Sequence, residues 1–341
     1  MNIDKRLVRK DSLEKLFDIL KQNSKTIYAP SSKNGKISFN VAESFSGIVT
    51  EYVQTSQSSK DIAFPRTEKI LDYSKNKEGM SVKGTDLKNL PEVILWGVRP
   101  CDASGIGELS AIFNWDYKDE IYNDRLSRVT VFGFSCNKSD EYCFCTSVGG
   151  NPGNTAGSDI LFTRLGENGD YLAEILTEKG SLVVSMSPDL FGKAENIDKE
   201  KFLAEVPVRF NHEEIRVKLD KFFESKEWIE QSLRCLGCGA CAYVCPTCAC
   251  FDVQDEAHGK SGSRVRCWDS CGLSHFTLHT SGHNPREVQS QRWRQRIMHK
   301  FSYMPERLSV YGCTGCGRCS RACPVDMNIL EHLISIQEVT V

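Results

Sequence analysis

At 341 residues, with 43 basic and 45 acidic side chains, the chain has a net charge of −2 and room for two or three domains with proper cores. That balance offers no general attraction to nucleic acid or anionic lipid, and no apolar run approaches the ~20 residues of a membrane span. Sixteen cysteines are many for this length, but the leading segment MNIDKRLVRKDS has no apolar signal region, so a disulfide scaffold is set aside and a cytoplasmic, anaerobic protein is expected.

In chain order, Ser12-Leu-Glu-Lys-Leu-Phe-Asp-Ile-Leu-Lys21 has apolar residues at helical spacing and reads as an amphipathic helix with Ser12 as its N-cap. Residues 26–30 and 35–39 flank Asn34-Gly35, a turn dipeptide that predicts a β-hairpin. From there to about residue 90 the sequence is polar and reads as loop. Residues 91–98 predict a buried strand that runs into a tight turn at Arg99-Pro-Cys-Asp102, with a helix over 104–113. Residues 129–136 repeat the arrangement, a strand that delivers Cys136 at its C-terminal end. Strands alternating with helices predict an α/β layer, in which sites form beyond the carboxyl ends of strands. A second β-rich piece follows Gly149-Gly-Asn-Pro-Gly153, with strands over 160–165, 171–176 and 181–185 and a turn at Asn168-Gly169. Residues 213–233 are charged at helical periodicity, which places a domain boundary near residue 225.

Beyond that boundary, Cys235-Leu-Gly-Cys238-Gly-Ala-Cys241-Ala-Tyr-Val-Cys245-Pro246 and Cys313-Thr-Gly-Cys316-Gly-Arg-Cys319-Ser-Arg-Ala-Cys323-Pro324 repeat one spacing, C-x2-C-x2-C-x3-C-P. That spacing holds [4Fe-4S] clusters, three thiolates from one run being completed by the fourth Cys of the other. One cluster is therefore assigned to Cys235, Cys238, Cys241 and Cys323, and a second to Cys313, Cys316, Cys319 and Cys245. Gly237, Gly239, Gly315 and Gly317 stand where the backbone must approach a cube closely. Paired zinc sites are the competing reading, but tetrahedral zinc gains nothing from a third Cys or a Cys-Pro closure. The long insert from Pro246 to Gly312 contains a predicted helix over 285–301, and residues 327–337 supply a last short helix.

Four cysteines precede the runs. Cys101 and Cys136 at strand ends suit buried packing. Cys143-Phe-Cys145, in a polar loop rich in glycine, does not. Cys101, Cys136, Cys143 and Cys145 are therefore expected to gather around a third cluster, with Asp102 as an alternative ligand. Cys248, Cys250, Cys267 and Cys271 match no standard run and fit equally a further cluster or a lining around the first. His258, His275, His279 and His283 are expected to make ordinary hydrogen bonds. Arg286, Arg292, Arg294, Arg296 and Lys300 read as a solvated helix face. No G-x-G-x-x-G follows a strand, and Gly259-Lys-Ser261 lacks the leading Gly of a phosphate loop, so no nucleotide or flavin site is expected.

With these residues in view, the chain resembles the iron–sulfur electron-transfer subunit found as the beta subunit of soluble NAD(P)-linked hydrogenases (sulfhydrogenases) and as its counterpart in anaerobic sulfite reductases. The resemblance is carried by Trp96-Gly-Val-Arg-Pro-Cys-Asp102, Cys143-Phe-Cys-Thr-Ser147, Cys245-Pro-Thr-Cys-Ala-Cys-Phe-Asp252, Trp268-Asp-Ser-Cys271, Ser281-Gly-His-Asn-Pro285 and His299-Lys-Phe301. It implies a subunit that carries single electrons between a flavin-containing, NAD(P)H-linked partner and a catalytic or second redox subunit. The same role occurs in transhydrogenase-type complexes, so the terminal donor and acceptor stay open.

The fold class expected is α+β, an N-terminal α/β domain over 1–225 followed by an α-helical ferredoxin-like domain with two [4Fe-4S] clusters over 226–341. The function expected is electron relay, with no catalytic residue, no nucleic acid and no membrane span. The competing reading is a self-contained reductase that acts at an incompletely ligated N-terminal cluster.

Overall fold

The computed structural model describes residues 3–166, 169–195 and 197–339. In the first half, β1 (Asp4–Val8) and α1 (Lys10–Gln22) lead into the hairpin β2 (Thr26–Lys33) and β3 (Lys36–Val41). A second hairpin, β4 (Thr67–Asn76) and β5 (Gly79–Gly84), precedes β6 (Val93–Val98), α2 (Pro100–Phe113), α3 (Glu120–Ser127) and β7 (Val129–Phe134). Then come β8 (Ile160–Leu165), β9 (Asp170–Ile175), α4 (Glu178–Met186) and β10 (Gly192–Lys193). The second half holds α5 (His212–Phe222), α6 (Glu227–Ser232), α7 (Ala240–Tyr243), a third hairpin of β11 (Phe251–His258) and β12 (Ser261–Trp268), then α8 (Gln289–Met298). It closes with α9 (Met304–Leu308), α10 (Arg318–Arg321) and α11 (Ile329–Glu338).

The main sheet has the order β10-β1-β9-β8-β7-β6-β2-β3, parallel across β2, β6, β7 and β8 and antiparallel outside them. Every residue of β6 is buried, as a parallel strand covered on both faces requires. Ile94 and Trp96 face one side, where Leu13, Leu16, Phe17 and Leu20 of α1 pack on them. Val93, Leu95 and Val98 face the other, against Ala103 of α2. The expected hairpin turn is present, with Asn34 and Gly35 both at positive φ (52° and 72°), as a tight two-residue turn demands. Helix α1 begins at Lys10, two residues before the expected cap, and Arg9 makes no side-chain capping bond.

Two expectations are corrected. Residues 181–185 are helical, not a strand: the Thr177 hydroxyl accepts the Gly180 N–H to start α4, and Val183 enters the core while Leu182 stays in solvent. The supposed loop before residue 90 contains β4 and β5, and with β11 and β12 they form a four-stranded sheet in the order β11-β12-β4-β5. The C-terminal part is thus not purely α-helical, and the whole is a mixed α/β chain with two sheets among the described residues. The Asn168 half of the expected turn lies outside the described residues.

The boundary expected near residue 225 falls between α5 and α6, and contacts cross it. Strand β12 anneals antiparallel to β4, with Thr67 opposite Cys267. Beneath that seam Glu68 is fully buried between Arg266 and Arg125, and Arg266 also pairs with Asp119. The Arg266 guanidinium lies 5.2–5.3 Å from the ring centroids of Phe64, Phe113 and Phe251. A cation held by two carboxylates and three aromatic faces is a costly group made tolerable, and it fixes the register of the seam.

Candidate metal centres

Each cysteine run folds as a tight loop that opens a single helical turn. Gly237, Gly239, Gly315 and Gly317 have φ of 66°, 74°, 65° and 69°, the left-handed conformation that only glycine adopts without strain. Gly239 and Gly317 cap α7 and α10, and each short helix ends just before the Cys-Pro closure. At Gly315 a side chain would fail outright, because its Cβ would lie 2.5 Å from the backbone of Cys145.

Cys235, Cys238 and Cys241 line one cavity together with Cys319, Cys323, Arg296 and Trp293. Two thiols of the second run, Cys319 and Cys323, therefore face the first run's triad. Cys323 Sγ accepts the Met327 N–H at 3.2 Å and Cys235 Sγ accepts the Gln289 amide at 3.0 Å. Conversely Cys245 lies among the second run's thiols. Burial pushes the Cys316 thiol up to about 11, with Cys245 and Cys319 adding to the rise. Burial likewise raises Cys313, which also feels Cys319 and Cys245. Cys245 itself is held well below the usual thiol range, first by the hydrogen bond from Cys248 and then by Lys300 and Arg296, against its burial.

The four N-terminal thiols converge as well. Cys101 follows β6, Cys136 follows β7, and Cys143 and Cys145 sit on the loop beyond; all four line one cavity with Gln54, Gly315 and Cys316. Burial raises Cys136 to about 11 and Cys145 to about 12, with the neighbouring thiols adding to both. The Gln54 amide donates to Cys101 Sγ at 3.2 Å, and Phe144 N–H donates to the Gly315 carbonyl at 2.9 Å, docking this loop on the second run. Among the described residues no three His, Cys, Asp or Glu side chains converge on a point as they would around a single metal ion. The thiols stand around cavities instead, and the residues fit clusters: several sulfurs face one space, close backbone approach is provided by glycine, and amide donors point at sulfur.

Asp102, the expected alternative ligand, turns both carboxylate oxygens to the guanidinium of Arg318, with each side chain 1% exposed. Both oxygens are thus engaged by a cation. Arg318 also donates to Thr55 and Gln54, so one residue of the second run ties down the N-terminal site. Asp140 pairs with Arg321 and accepts from the Cys143 thiol at 3.4 Å. The sequence carried a signal for these pairs in the arginines between Cys316 and Cys323, but nothing named their partners some 180 or more residues upstream.

The other cysteines separate. Cys248 lies on Cys245, and Cys250 is hydrogen-bonded to Cys271, which in turn lies near Cys241. Cys267 is on β12 opposite Asp252 and Thr67. The basic helix is only partly a solvated face: Arg292 and Arg294 are partly exposed, whereas Arg296 and Lys300 are buried among the thiols. A third cation, Lys60, donates to the carbonyls of Ala242 and Cys248 at 3.1 and 2.9 Å and stands 4.0 Å over the Trp268 ring. No helix among the described residues is long and apolar enough to cross a membrane.

The chain matches the family described as 4Fe-4S dicluster domain over residues 234–327, a span that includes both runs. It is 30% identical to Sulfhydrogenase 2 subunit beta of Pyrococcus furiosus over 331 residues, covering 95% of this chain and 94% of that protein. No solved structure matches the chain.

Proposed function

The chain belongs to the family of sulfhydrogenase beta subunits, and on that premise we propose that it is the electron-relay subunit of an anaerobic, cytoplasmic oxidoreductase complex. It passes single electrons between a flavin-containing, NAD(P)H-linked partner and a catalytic or second redox subunit of hydrogenase, sulfite reductase or transhydrogenase type. The observation that supports this reading is that the two runs interleave, Cys319 and Cys323 lining the cavity of the first run's triad while Cys245 lies near Cys313 and Cys316.

The ligand sets are Cys235, Cys238, Cys241 and Cys323 for one [4Fe-4S] cluster and Cys313, Cys316, Cys319 and Cys245 for the other. Cys101, Cys136, Cys143 and Cys145 hold a third. When bound, a cluster supplies a one-electron redox couple and no acid, base or nucleophile. The chain's own residues arrange the sites in file. Cys238 is exposed at one end, Cys245, Cys313 and Cys316 are buried in the middle, and Cys101 lies near Cys316 at the start of the N-terminal set. Leu233 and Leu236 stand in solvent beside Cys238, an apolar rim where a partner's redox group approaches. Burial of Cys245, Cys313 and Cys316 keeps water from their sulfurs.

One observation favours the reductase reading. A polar cavity beyond Cys101 and Cys145 is lined by Ser104, Glu108, Asn151 and Asn154, and would admit a small polar substrate. A single preparation separates the two. Anaerobically purified chain is expected to hold about twelve iron atoms, four per cube, and about eight if the N-terminal site is empty. It is expected to accept electrons from a low-potential chemical reductant, to leave NADH and NADPH untouched, and to regain that transfer when a flavoprotein partner is added. Stoichiometric flavin in the lone chain, or dye reduction by NAD(P)H at enzymatic rates, would replace the relay reading with the enzyme one.

A further inference from the structure

Two positive charges are buried between the ferredoxin-type runs. Arg296 at the end of α8 and Lys300 in the π-helical turn His299–Tyr303 are 4% and 3% exposed. Arg296 donates to Cys248 Sγ at 3.3 Å and to the Cys241 carbonyl at 3.0 Å, and its Nε has no partner among the described residues. Lys300 donates to Cys245 Sγ at 3.4 Å, to Thr247 Oγ1 at 3.0 Å and to the Gly312 carbonyl. Their hydrogen-bond partners are sulfur, hydroxyl and carbonyl; the carboxyl of Glu108 lies near Lys300 without bonding to it, and burial pushes it towards its neutral form.

Such an arrangement is unfavourable in a protein of neutral thiols. A buried charge without a counter-charge is expensive, and two like charges four residues apart on a helix repel. Both costs are offset once negative charge resides on the surrounding sulfurs, and more so when an electron is added there. The two cations are not equivalent. Lys300 touches Cys245, a ligand of the Cys313, Cys316 and Cys319 site. Arg296 stands between the runs, and the thiols that act on it include Cys241 from one and Cys319 from the other.

We propose that Arg296 and Lys300 set the reduction potentials of the two ferredoxin-type sites and do so unequally: Lys300 raises that of the Cys313 triad with Cys245, while Arg296 raises both. The proposal rests on the ligand sets given above. The physical basis is direct, since reduction adds one negative charge and a fixed cation in a dry, low-dielectric interior stabilises the reduced form over the oxidised one. Positioned on one helix face, the pair also offsets the repulsion between two electrons held at neighbouring sites.

The test is a redox titration of the full chain, followed by electron paramagnetic resonance, with iron analysis on every sample. In Lys300→Met, the oxidised-to-reduced ratio of one cluster at fixed potential is expected to rise at least tenfold, a drop of about 59 mV for a one-electron couple, with less than half that shift in the other. Arg296→Met is expected to lower both, and Lys300→Arg to keep both near wild type. Should the Met variants lose iron, Lys300→Gln and Arg296→Gln carry the same comparison. Unshifted potentials in variants with full iron overturn the proposal and leave the relay reading standing. A wild-type chain without two [4Fe-4S] signals overturns the ligand sets themselves.

Discussion

Replacing Cys323 by Ser is expected to remove the cluster of Cys235, Cys238 and Cys241 and to leave that of Cys313, Cys316 and Cys319 in place. Cys323 follows Cys319 by only four residues, so proximity in sequence argues for the opposite result. The turn of α10 decides it. Capped by Gly317 at φ 69° and closed by Pro324, this short helix carries Cys323 round to the cavity of the first run. There the Met327 N–H reaches its sulfur at 3.2 Å and helps to hold it in place. A Ser at this position is a poor iron ligand, and the bound iron should fall by about four atoms per chain. Mössbauer or paramagnetic resonance spectra of the variant should show one ferredoxin-type signal where the wild type shows two. Loss of the Cys313 triad's signal, with the other retained, would sink the assignment, and Cys245→Ser should give the reciprocal pattern.

The ion pair of Asp102 and Arg318 should be among the most expensive interactions to break among the described residues. Both side chains are 1% exposed, and the carboxylate and guanidinium meet through two hydrogen bonds. Removing one partner leaves the other charged and dry, a loss of about 3–5 kcal/mol for a buried pair. Asp102→Ala and Arg318→Met are each expected to lower the unfolding free energy, read from denaturant titration, by that amount, while the double variant should cost clearly less than the two together. Removing both charges spares the chain the stranded one. The same variants bear on the N-terminal centre. If the Asp102 carboxylate served as an iron ligand, Asp102→Asn would alter the spectrum of a cluster at the proposed third site. The geometry predicts a change in stability with the cluster's own signal kept.

How much of this was legible beforehand depended on the range over which a residue finds its partner. The two cysteine runs, their four glycines and the Asn34-Gly35 turn were readable because spacing and backbone conformation are local properties. Cys101 and Cys136 were placed at strand ends because β6 and β7 are short apolar runs that stop where the turn begins. The second sheet was not readable. Strand β5 is exposed throughout and β4 over half its length, so neither shows the alternation of a half-buried strand, and β12, which pairs with β4, lies far along the chain. The turn at Gly259, with φ of 64°, was a hairpin signal hidden by its likeness to a phosphate loop. Arg296 and Lys300 were read as part of a solvated helix face for a different reason. Charged side chains are solvated in nearly every helix, and only the thiols brought together from distant segments make their burial sensible.

The seam between β4 and β12 also governs how the chain is made. Its two strands, with Thr67 opposite Cys267, are about 200 residues apart, and at 5–20 residues per second the later one leaves the ribosome about 10 to 40 s after the earlier. Throughout that interval the hairpin of β4 and β5 is on hand with both outer edges unpaired, among them the β4 edge that later receives β12. Lys69 and Lys75 in β4 and Lys83 in β5 are the kind of side chain that keeps an open edge from annealing to a neighbouring nascent chain. The nascent N-terminal half therefore waits, with its second sheet half built, for a strand encoded beyond the first cysteine run. The stretch of chain between β5 and β12 is in this sense a time delay, and the seam cannot close until Cys235, Cys238, Cys241 and Cys245 have all been synthesised.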